Sequence, residues 1–391
     1  MTIGIVASGY TPGQMGGTEV YLRRLVSMCQ LLGSEAETVL YVSAMNRAAL
    51  EQPLNGLPGL REINPTLGQL ARRVRVHAGR LLRRQYYLGQ LEDRIDYGRV
   101  DLLHFPFCIV RPIPRNKVKP KVVVTIHDLQ HVEYPQFFSR RELDFREREY
   151  GLAVESADLI LTDSIYSQGT ITRHYGLDLD RVKVVYPGID EKTHDNLTLS
   201  LVKTYLEAKG IQRPYMIYPA ATWPHKNHKR LLLALKDLIS SSSFEGDIVL
   251  TGMSRQSHGE IENLAAELRL SSHVKFVGFV QADDLRLLYA GARMLVYPSL
   301  YEGFGFPVIE AMSVGLPVLC SNCTSLPEIG TDAVEYCDPT DVDSMAISIL
   351  NLWTDEDRRA QLRSLGLKRA EFFEVSARAA ELKKAYQSIG S

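Results

Sequence analysis

The sequence predicts an α/β protein made of two doubly wound domains that face each other across a central cleft. Short apolar strands alternate with amphipathic helices, and the strands are continuous apolar runs, which is typical of parallel sheets covered on both faces. This rhythm is interrupted once, near residue 190, and then restarts. The length of 391 residues also exceeds what one hydrophobic core normally serves, which favours two domains.

The first domain is predicted to span residues 1–190. It opens with a strand at residues 3–7, and the helix that follows carries apolar residues at helical spacing, namely Val20, Leu22, Leu25, Val26, Met28 and Leu31. Further strands are predicted where β-branched and other apolar residues run together, at residues 38–42, 102–105, 122–126, 158–162 and 182–186. Ligands of such sheets lie beyond the carboxyl ends of the strands, so we expect functional residues in the loops that follow them.

The second domain is predicted to span residues 191–372, after the break at Pro187-Gly188 and a polar linker. It begins with a strand at residues 215–218 and a helix from His228 to about residue 240. Further strands are predicted at residues 247–251, 274–277, 294–297 and 318–320. The final segment, residues 373–391, reads as an amphipathic helix that packs back on the first domain.

Bulk composition narrows the class of function. The formal net charge is −1, so no overall field attracts nucleic acid or lipid, and we expect no nucleic-acid partner. The N-terminus runs straight into a strand without the basic and apolar segments of a signal peptide. No stretch approaches the roughly 20 apolar residues that span a bilayer. We therefore expect a cytoplasmic protein.

The five cysteines do not indicate a disulfide framework in a chain of this length. Cys320 and Cys323 form a C-x-x-C, a pattern found in redox and zinc sites. No second such pair and no suitably spaced histidine pair accompanies it, and Cys320 ends an apolar run. We therefore predict packed thiols at this position.

The most informative stretch is the glycine-rich loop at residues 299–311, which leads from a strand into a helix beginning near Pro307. Backbone N–H groups beside a positive helix N-terminus suit an anionic or hydroxyl-rich ligand. Glu302 and Glu310 flank the loop, and carboxylate oxygens accept hydrogen bonds from vicinal sugar hydroxyls. Either glutamate alone is compatible with a solvated or dipole-stabilising role, but the whole string favours a ligand site.

The motif Glu302-x7-Glu310, with Gly303-Phe304-Gly305-Phe306-Pro307 inside it, resembles the E-x7-E signature of family-4 retaining glycosyltransferases of the GT-B architecture. Residues 315–318 and 326–330 match the same family pattern, and the resemblance covers essentially the whole chain. It implies two Rossmann-like domains, with a nucleotide-sugar donor held by the second. It further implies that Glu302 contacts the transferred sugar and that Glu310 holds the ribose hydroxyls. The loop residues that would grip the donor are Phe304, Gly305 and Phe306.

A second polar loop, residues 219–230, precedes a helix whose N-cap is predicted to be Asn227. Lys226 in this loop is placed to offset the negative charge of a leaving diphosphate, which a metal ion does in other enzymes. We therefore predict no metal and no other cofactor. Family members often carry an arginine five residues before this lysine, where this chain has Ala221. Lys229 and Arg230 are the candidates to replace it, with surface charges as the alternative.

Glycines and a histidine mark further candidate positions. Gly16 and Gly17 lie after the first strand without the G-x-G-x-x-G order of a dinucleotide site, and the resemblance implies a close backbone approach to donor phosphate or acceptor. His127 directly follows a strand, and the resemblance implies that it approaches the donor sugar, with its carbonyl facing the anomeric carbon. His104 and His131 are weaker candidates. The base pocket is expected at the backbone near Gly252 and Phe279.

Residues 64–86 are predicted to form an amphipathic helix that begins at Asn64-Pro65. The same stretch carries six arginines: Arg72, Arg73, Arg75, Arg80, Arg83 and Arg84. Two interpretations stay open and are compatible with each other. The basic patch can attract anionic lipid at the inner face of the cytoplasmic membrane or a polyprenyl-diphosphate acceptor, or the helix is solvated and packs on the first domain.

The predicted function is a retaining glycosyltransferase that moves a hexose to a hydroxyl of a glycan or lipid-linked acceptor. Residues 223–227 are most similar to mannosyltransferases of bacterial O-antigen assembly, a part of lipopolysaccharide synthesis, which favours GDP-mannose as the donor. A UDP-sugar or dTDP-sugar is the alternative. The resemblance implies front-face substitution, in which the departing phosphate deprotonates the acceptor. The other classes considered are a nucleotide-sugar epimerase or phosphorylase of the same architecture and a two-lobed binding protein without chemistry.

Overall fold

The computed structural model describes residues 1–8, 10, 15–33, 36–43, 60–63, 94–95, 97–110, 113–114, 119–189, 198–241 and 244–389. The six arginines between residues 72 and 84 lie outside these ranges, so membrane contact through them stays a prediction. Within the described residues, no helix combines the length and the apolar character needed to cross a bilayer.

In the described part of the chain, seven parallel strands form the first sheet, in the order β3-β2-β1-β5-β7-β8-β9. These are β1 (Thr2–Val6), β2 (Glu37–Ser43), β3 (Leu60–Ile63), β5 (Leu102–Phe105), β7 (Lys121–Thr125), β8 (Leu159–Thr162) and β9 (Val182–Val184). Two short strands, β4 (Arg94–Ile95) and β6 (Ile113–Pro114), pair with each other. β1 and β5 are neighbours at the point where the strand order reverses.

The second sheet, within the ranges given above, has six parallel strands in the order β12-β11-β10-β13-β14-β15. These are β10 (Tyr215–Pro219), β11 (Asp247–Thr251), β12 (Val274–Gly278), β13 (Met294–Tyr297), β14 (Val318–Ser321) and β15 (Glu335–Cys337). The strand order reverses between β10 and β13, which makes this the topological switch point where ligands of such sheets bind. The two sheets confirm the predicted fold class, and every predicted strand is present within one or two residues.

Helices cover the sheets. They are α1 (Gly17–Gln30), α2 (Gln130–Glu133), α3 (Arg140–Ser156), α4 (Ile165–Tyr175), α5 (Leu199–Ala208), α6 (His228–Ser241), α7 (His258–Glu267), α8 (Ala282–Gly291), α9 (Phe306–Ser313), α10 (Leu326–Gly330), α11 (Val342–Thr354), α12 (Glu356–Glu371) and α13 (Val375–Gln387). The alternation of these helices with parallel strands follows from the apolar periodicity of the sequence.

The C-terminal helix α13 packs against α1 of the first half, and its apolar residues belong to the same core as those of α1. The hydroxyl of Tyr386 on α13 hydrogen-bonds Nδ1 of His104 at 2.7 Å, and Nε2 of His104 hydrogen-bonds Thr125 at 2.7 Å. Burial lowers the pKa of His104 to about 3, so this histidine is neutral. His104 therefore anchors α13 instead of serving the cleft.

The two halves contact each other directly at the cleft. The Glu328 carboxylate accepts hydrogen bonds from the backbone N–H groups of Ile165 and Tyr166, at 2.8 and 3.1 Å, and so caps α4 of the other half. Ser164 donates a hydrogen bond of 2.7 Å to the carbonyl of Gly303. The Phe306 ring packs against the cores of both halves. These contacts bring the glycine-rich loop against the first half.

Candidate active site

Four loops of the second half meet at the carboxyl edge of its sheet. Lys226 follows β10, Gly252 follows β11, Phe279 follows β12 and Glu302 follows β13. These strands are neighbours in the order β12-β11-β10-β13, so the loops after them lie side by side. The structure thus brings together four residues that are spread over 77 positions of the sequence.

A buried ion pair lies at the centre of this edge. Nζ of Lys226 is 2.6 Å from Oε1 of Glu302 and donates to the hydroxyl of Tyr297 at 3.1 Å. The two charged side chains are 14% and 11% exposed, so protein has replaced most of their water. Removing charges from water is costly unless they are paired, and this pair satisfies that requirement within the cleft.

The backbone beside Glu302 is held by three hydrogen bonds. The N–H of Glu302 donates to the Thr324 hydroxyl at 3.1 Å, and the Ser325 hydroxyl donates to the carbonyls of Glu302 and Phe304 at 3.0 and 2.8 Å. A fixed loop backbone keeps the carboxylate oriented without a loss of entropy on ligand binding.

Two glycines are required by the close packing of this loop. A Cβ on Gly303 would lie 2.9 Å from the carbonyl oxygen of His127, across the cleft. Gly305, at the N-terminus of α9, has φ +114° and a Cβ there would lie 2.7 Å from Leu326. Larger residues would therefore push the two halves apart or strain the backbone.

Lys226 is placed by a short 3-10 turn, Pro224–Lys226, whose last carbonyl accepts a hydrogen bond from the Tyr218 hydroxyl. α6 begins at His228, directly after Asn227, which was predicted to be its N-cap. Nδ2 of Asn227 donates to the carbonyls of Pro298 and Pro339, at 3.0 and 2.7 Å, and its Oδ1 accepts from Arg230 at 3.0 Å. The side chain of Asn227 ties the lysine loop to the end of β13, because an amide group can donate as well as accept.

Lys229 and Arg230, the candidates to replace the arginine that family members carry at position 221, bind other residues. Lys229 pairs with Glu260 at 2.6 Å, with both side chains more than half exposed, and Arg230 binds Asn227. A cation that the sequence analysis missed, Arg255, lies 5.5 Å above the ring of Trp223 in the lysine loop. The backbone N–H of Arg255 donates to the Thr222 hydroxyl at 2.7 Å. Its position in the loop after β11 is the sequence signal that could have identified it.

Glu310 lies in the first turns of α9, where it accepts a hydrogen bond of 3.1 Å from the Tyr289 hydroxyl. Burial raises the pKa of its carboxyl group, and the charge of Arg24 on α1 acts in the opposite direction. Gly17, the first residue of α1, faces the Phe306 ring, since a Cβ there would lie 3.6 Å from it. The predicted donor-binding residues of the two halves therefore lie near one another.

The other predicted donor-binding residues differ in how much of each is exposed to solvent. The ring of Phe304 is buried and packs against Tyr186 and Phe373, so it is not exposed to a ligand. Phe279 is 54% exposed at the end of β12. Gly252 has φ +134° and lies against the carbonyl of Ala220, which a Cβ would approach to 2.6 Å. Backbone groups thus form much of this edge.

His127 is turned into the first half of the chain. Its Nδ1 is 2.6 Å from Oδ2 of Asp163, which follows β8, and its Nε2 is 3.0 Å from the carbonyl of Pro106. Both partners accept hydrogen bonds, so the protonated ring, which donates from both nitrogens, satisfies both contacts. The carbonyl of His127, and not its ring, faces Gly303. Asp163 was missed by the sequence analysis, although it too directly follows a strand.

A pH-dependent stability is expected from this pair. Burial alone would lower the pKa of His127, but the charge and hydrogen bond of Asp163 outweigh it and place the pKa above 6.5. Because the pKa is higher in the folded than in the unfolded state, the stabilisation is complete below pH 6.5 and is lost as the pH rises through the folded value. Urea unfolding from about pH 6 to 9 should show this slope, and Asp163→Asn should flatten it. An equal slope in both proteins would contradict the assignment.

The two cysteines of the C-x-x-C pattern are packed or hydrogen-bonded in the protein. Cys320 is fully buried, as predicted for a packed thiol, and Cys323 donates to the carbonyls of Ser299 and Leu300. Among the residues that the structure describes, no three or more His, Cys, Asp or Glu side chains are grouped to hold a metal ion. Independence from metal remains a prediction.

Two parallel, doubly wound sheets whose loops meet at a switch point, with a buried Lys–Glu pair and the E-x7-E loop there, define a glycosyltransferase of the GT-B class. Residues 15–193 match the family model for Glycosyltransferase Family 4, and residues 205–369 match that for Glycosyl transferases group 1.

Similar proteins agree with this class. The O-antigen chain mannosyltransferase B of Escherichia coli is 30% identical over 299 residues, which are 76% of each chain. The O-antigen chain mannosyltransferase RfbU of Salmonella typhimurium is 28% identical over 241 residues, 62% of each chain. The crystal structure of Anabaena HepE with UDP and glucose is similar in fold, with a TM-score of 0.74 at 20% identity over 99% of this chain and 100% of that one. The chain belongs to the family-4 glycosyltransferases.

Proposed function

We propose that the protein is a retaining mannosyltransferase that transfers mannose from GDP-mannose to a hydroxyl of a glycan or lipid-linked acceptor in bacterial surface-polysaccharide synthesis. The observation that carries this proposal is the Lys226–Glu302 pair at the switch point of the second sheet. The names of the two O-antigen relatives support mannose as the transferred sugar. A UDP-sugar is the second candidate donor, because HepE was crystallised with UDP and glucose.

In the proposed reaction, the diphosphate of the donor binds the ammonium of Lys226 in place of Glu302. The Glu302 carboxylate then accepts hydrogen bonds from the hydroxyls of the sugar. The ammonium is most effective where negative charge develops, on the departing phosphate, and the exclusion of water strengthens the interaction. Lys226 thereby supplies positive charge without a metal ion. Glu310 accepts hydrogen bonds from the ribose hydroxyls, and the backbone near Gly252 and Phe279 receives the base.

The anomeric configuration is retained because the acceptor hydroxyl attacks the same face of the sugar that the leaving group departs from. The bond between the anomeric carbon and the diphosphate oxygen breaks, and the acceptor oxygen bonds to the same face. The acceptor proton passes to the departing diphosphate, which yields GDP and the glycoside. In this reaction the Glu302 carboxylate accepts hydrogen bonds from the sugar hydroxyls and does not act as a nucleophile. We assign to the carbonyl of His127, which lies across from Gly303, the stabilisation of the positive charge that develops on the sugar.

A thermal-shift screen against GDP, UDP, ADP, dTDP and CDP, with and without EDTA, tests the donor. GDP should raise Tm the most, because it is the nucleotide of the proposed donor. A ligand at 100 times its Kd adds about 2.7 kcal/mol of stability to the folded protein. EDTA should leave the shift unchanged. A larger shift with UDP would replace the proposed donor, and a shift lost in EDTA would contradict metal independence. No response to any nucleotide would contradict the donor site itself.

Glu310→Gln should weaken GDP binding by about tenfold or more, because hydrogen bonds to a charged group contribute about 1.5–3 kcal/mol. The carboxylate accepts two ribose hydroxyls, whereas an amide has one acceptor oxygen and leaves one hydroxyl poorly matched. Isothermal titration with GDP measures the change. Glu267→Gln, an exposed substitution on α7, is the matched control and should bind as the unchanged protein does. Equal affinities of the two variants would contradict the role of Glu310.

A further inference from the structure

A stacked aromatic pair lies on the first-half side of the cleft. The rings of Tyr134 and Phe137 are parallel within 2°, with centroids 5.5 Å apart. Tyr134 also meets the edge of Tyr301 at 5.6 Å, and Phe137 meets His225 at 6.3 Å. Tyr301 precedes Glu302 in the chain and His225 precedes Lys226. The pair, called the aromatic platform below, therefore spans the two loops that carry the Lys226–Glu302 ion pair.

The aromatic platform is preformed but not fully covered. Both rings are half-buried, whereas the ring of Tyr301 behind them is only 2% exposed. The backbone that carries them is held by α2 and by the 3-10 turn Pro135–Phe137, and the N–H of Gln130 donates to Oδ1 of Asp128 at 2.9 Å. Rigid, half-exposed rings in a cleft offer apolar surface to a ligand at little cost in entropy.

Two acidic groups lie near the platform, because Glu133 precedes Tyr134 and the charge of Asp128 acts on Tyr301, which Tyr134 contacts. Oδ2 of Asp128 lies 3.1 Å from the Cβ position of Gly303, and the Glu133 carboxylate accepts a hydrogen bond from the Tyr166 hydroxyl. Carboxylates accept hydrogen bonds from sugar hydroxyls and repel phosphate groups. An aromatic surface with carboxylates nearby therefore suits a neutral sugar, whose C–H face is apolar and whose rim carries hydroxyls.

We propose that Tyr134 and Phe137 form the acceptor subsite, which binds a neutral pyranose residue of a glycan with Asp128 and Glu133 accepting hydrogen bonds from its hydroxyls. This inference rests on the proposed transferase function and selects between the two acceptor classes left open above. The sugar that receives the transferred residue is held here, and any polyprenyl diphosphate of the acceptor lies away from these carboxylates.

Phe137→Leu tests the subsite, because it removes the flat ring and keeps an apolar side chain. The probes are a panel of fluorescent disaccharides of mannose, glucose, galactose and N-acetylglucosamine, with farnesyl diphosphate as the polyprenyl-diphosphate probe. We expect at least one disaccharide to bind the unchanged protein, and Phe137→Leu to weaken it about tenfold, the upper range for one aromatic contact. Phe137→Tyr should restore binding. In transfer assays the loss should appear in KM for the acceptor and leave kcat largely unchanged.

Two readouts separate this inference from the proposed function. The Tm shift with GDP and the slow hydrolysis of donor without acceptor should be the same in Phe137→Leu as in the unchanged protein. Phe145→Leu, which alters an aromatic ring on α3 that is 45% exposed, is the control and should have no effect. Disaccharide binding that is absent, or equal in Phe137→Leu, would overturn the subsite, as would binding of farnesyl diphosphate in place of the sugars. A missing nucleotide response would instead refute the transferase proposal.

Discussion

Glu302→Gln is expected to reduce kcat by about 10²–10³-fold, the usual cost of removing one preorganised electrostatic group from an active site. Glutamine keeps the shape of the side chain and one acceptor oxygen, but it no longer carries the charge that meets Lys226 at 2.6 Å. The hydroxyls of the transferred sugar then lose a strong hydrogen-bond acceptor. Steady-state transfer from GDP-mannose measures the effect.

Glu310→Gln is the control for Glu302→Gln. Glu302→Gln should leave the Tm shift with GDP close to that of the unchanged protein, because the nucleotide is held by other groups. Glu310→Gln should do the reverse and act mainly on nucleotide affinity. Full turnover in Glu302→Gln would refute its proposed role. A protein that binds nucleotide but shows no transfer or hydrolysis before any substitution would favour the binding-protein alternative.

The fold was predictable because its signal is local. Continuous apolar runs and helical periodicity are properties of short windows, and they place the strands within one or two residues. The glycine-rich loop is local too, so its motif identified Glu302 and Glu310. The short strands β3, β4, β6 and β15 were missed because each mixes a charged residue or a proline with its few apolar residues, so no continuous apolar run marks them.

The contacts of the site were less predictable because they depend on strand order. Lys226 and Glu302 are separated by 76 positions and meet only because β10 and β13 are neighbours at the switch point. Periodicity does not give that order. For the same reason the sequence did not show that the His127 ring pairs with Asp163, which follows the neighbouring strand.

The contacts of the aromatic platform could not be predicted from the sequence either. Nothing in the spacing of Tyr134 and Phe137 relates them to His225 or Tyr301, which lie in the other half of the chain. Their relation depends on how the halves meet, through contacts such as the carboxylate of Glu328 on the N-terminus of α4.

Lys226→Met is expected to lower both stability and activity. The carboxylate of Glu302 would stay largely buried without its cation, which costs about 3–5 kcal/mol for a buried pair that loses one partner. The double variant Lys226→Met/Glu302→Gln should regain most of this stability, because it leaves no unpaired charge. Urea unfolding without nucleotide measures the three variants, and their non-additivity gives the coupling of the pair.

Activity should not return with stability. In the double variant no ammonium meets the departing diphosphate, so kcat should stay about 10²–10³-fold below normal or lower. Lys229→Met is the control, because its exposed pair with Glu260 contributes about 0–1 kcal/mol and lies outside the proposed machinery. If the double variant recovered turnover together with stability, Lys226 would serve only to neutralise Glu302. The charge of the leaving group would then have to be met by another cation, and Arg255, which lies over Trp223 in the same loop, would be the first to substitute.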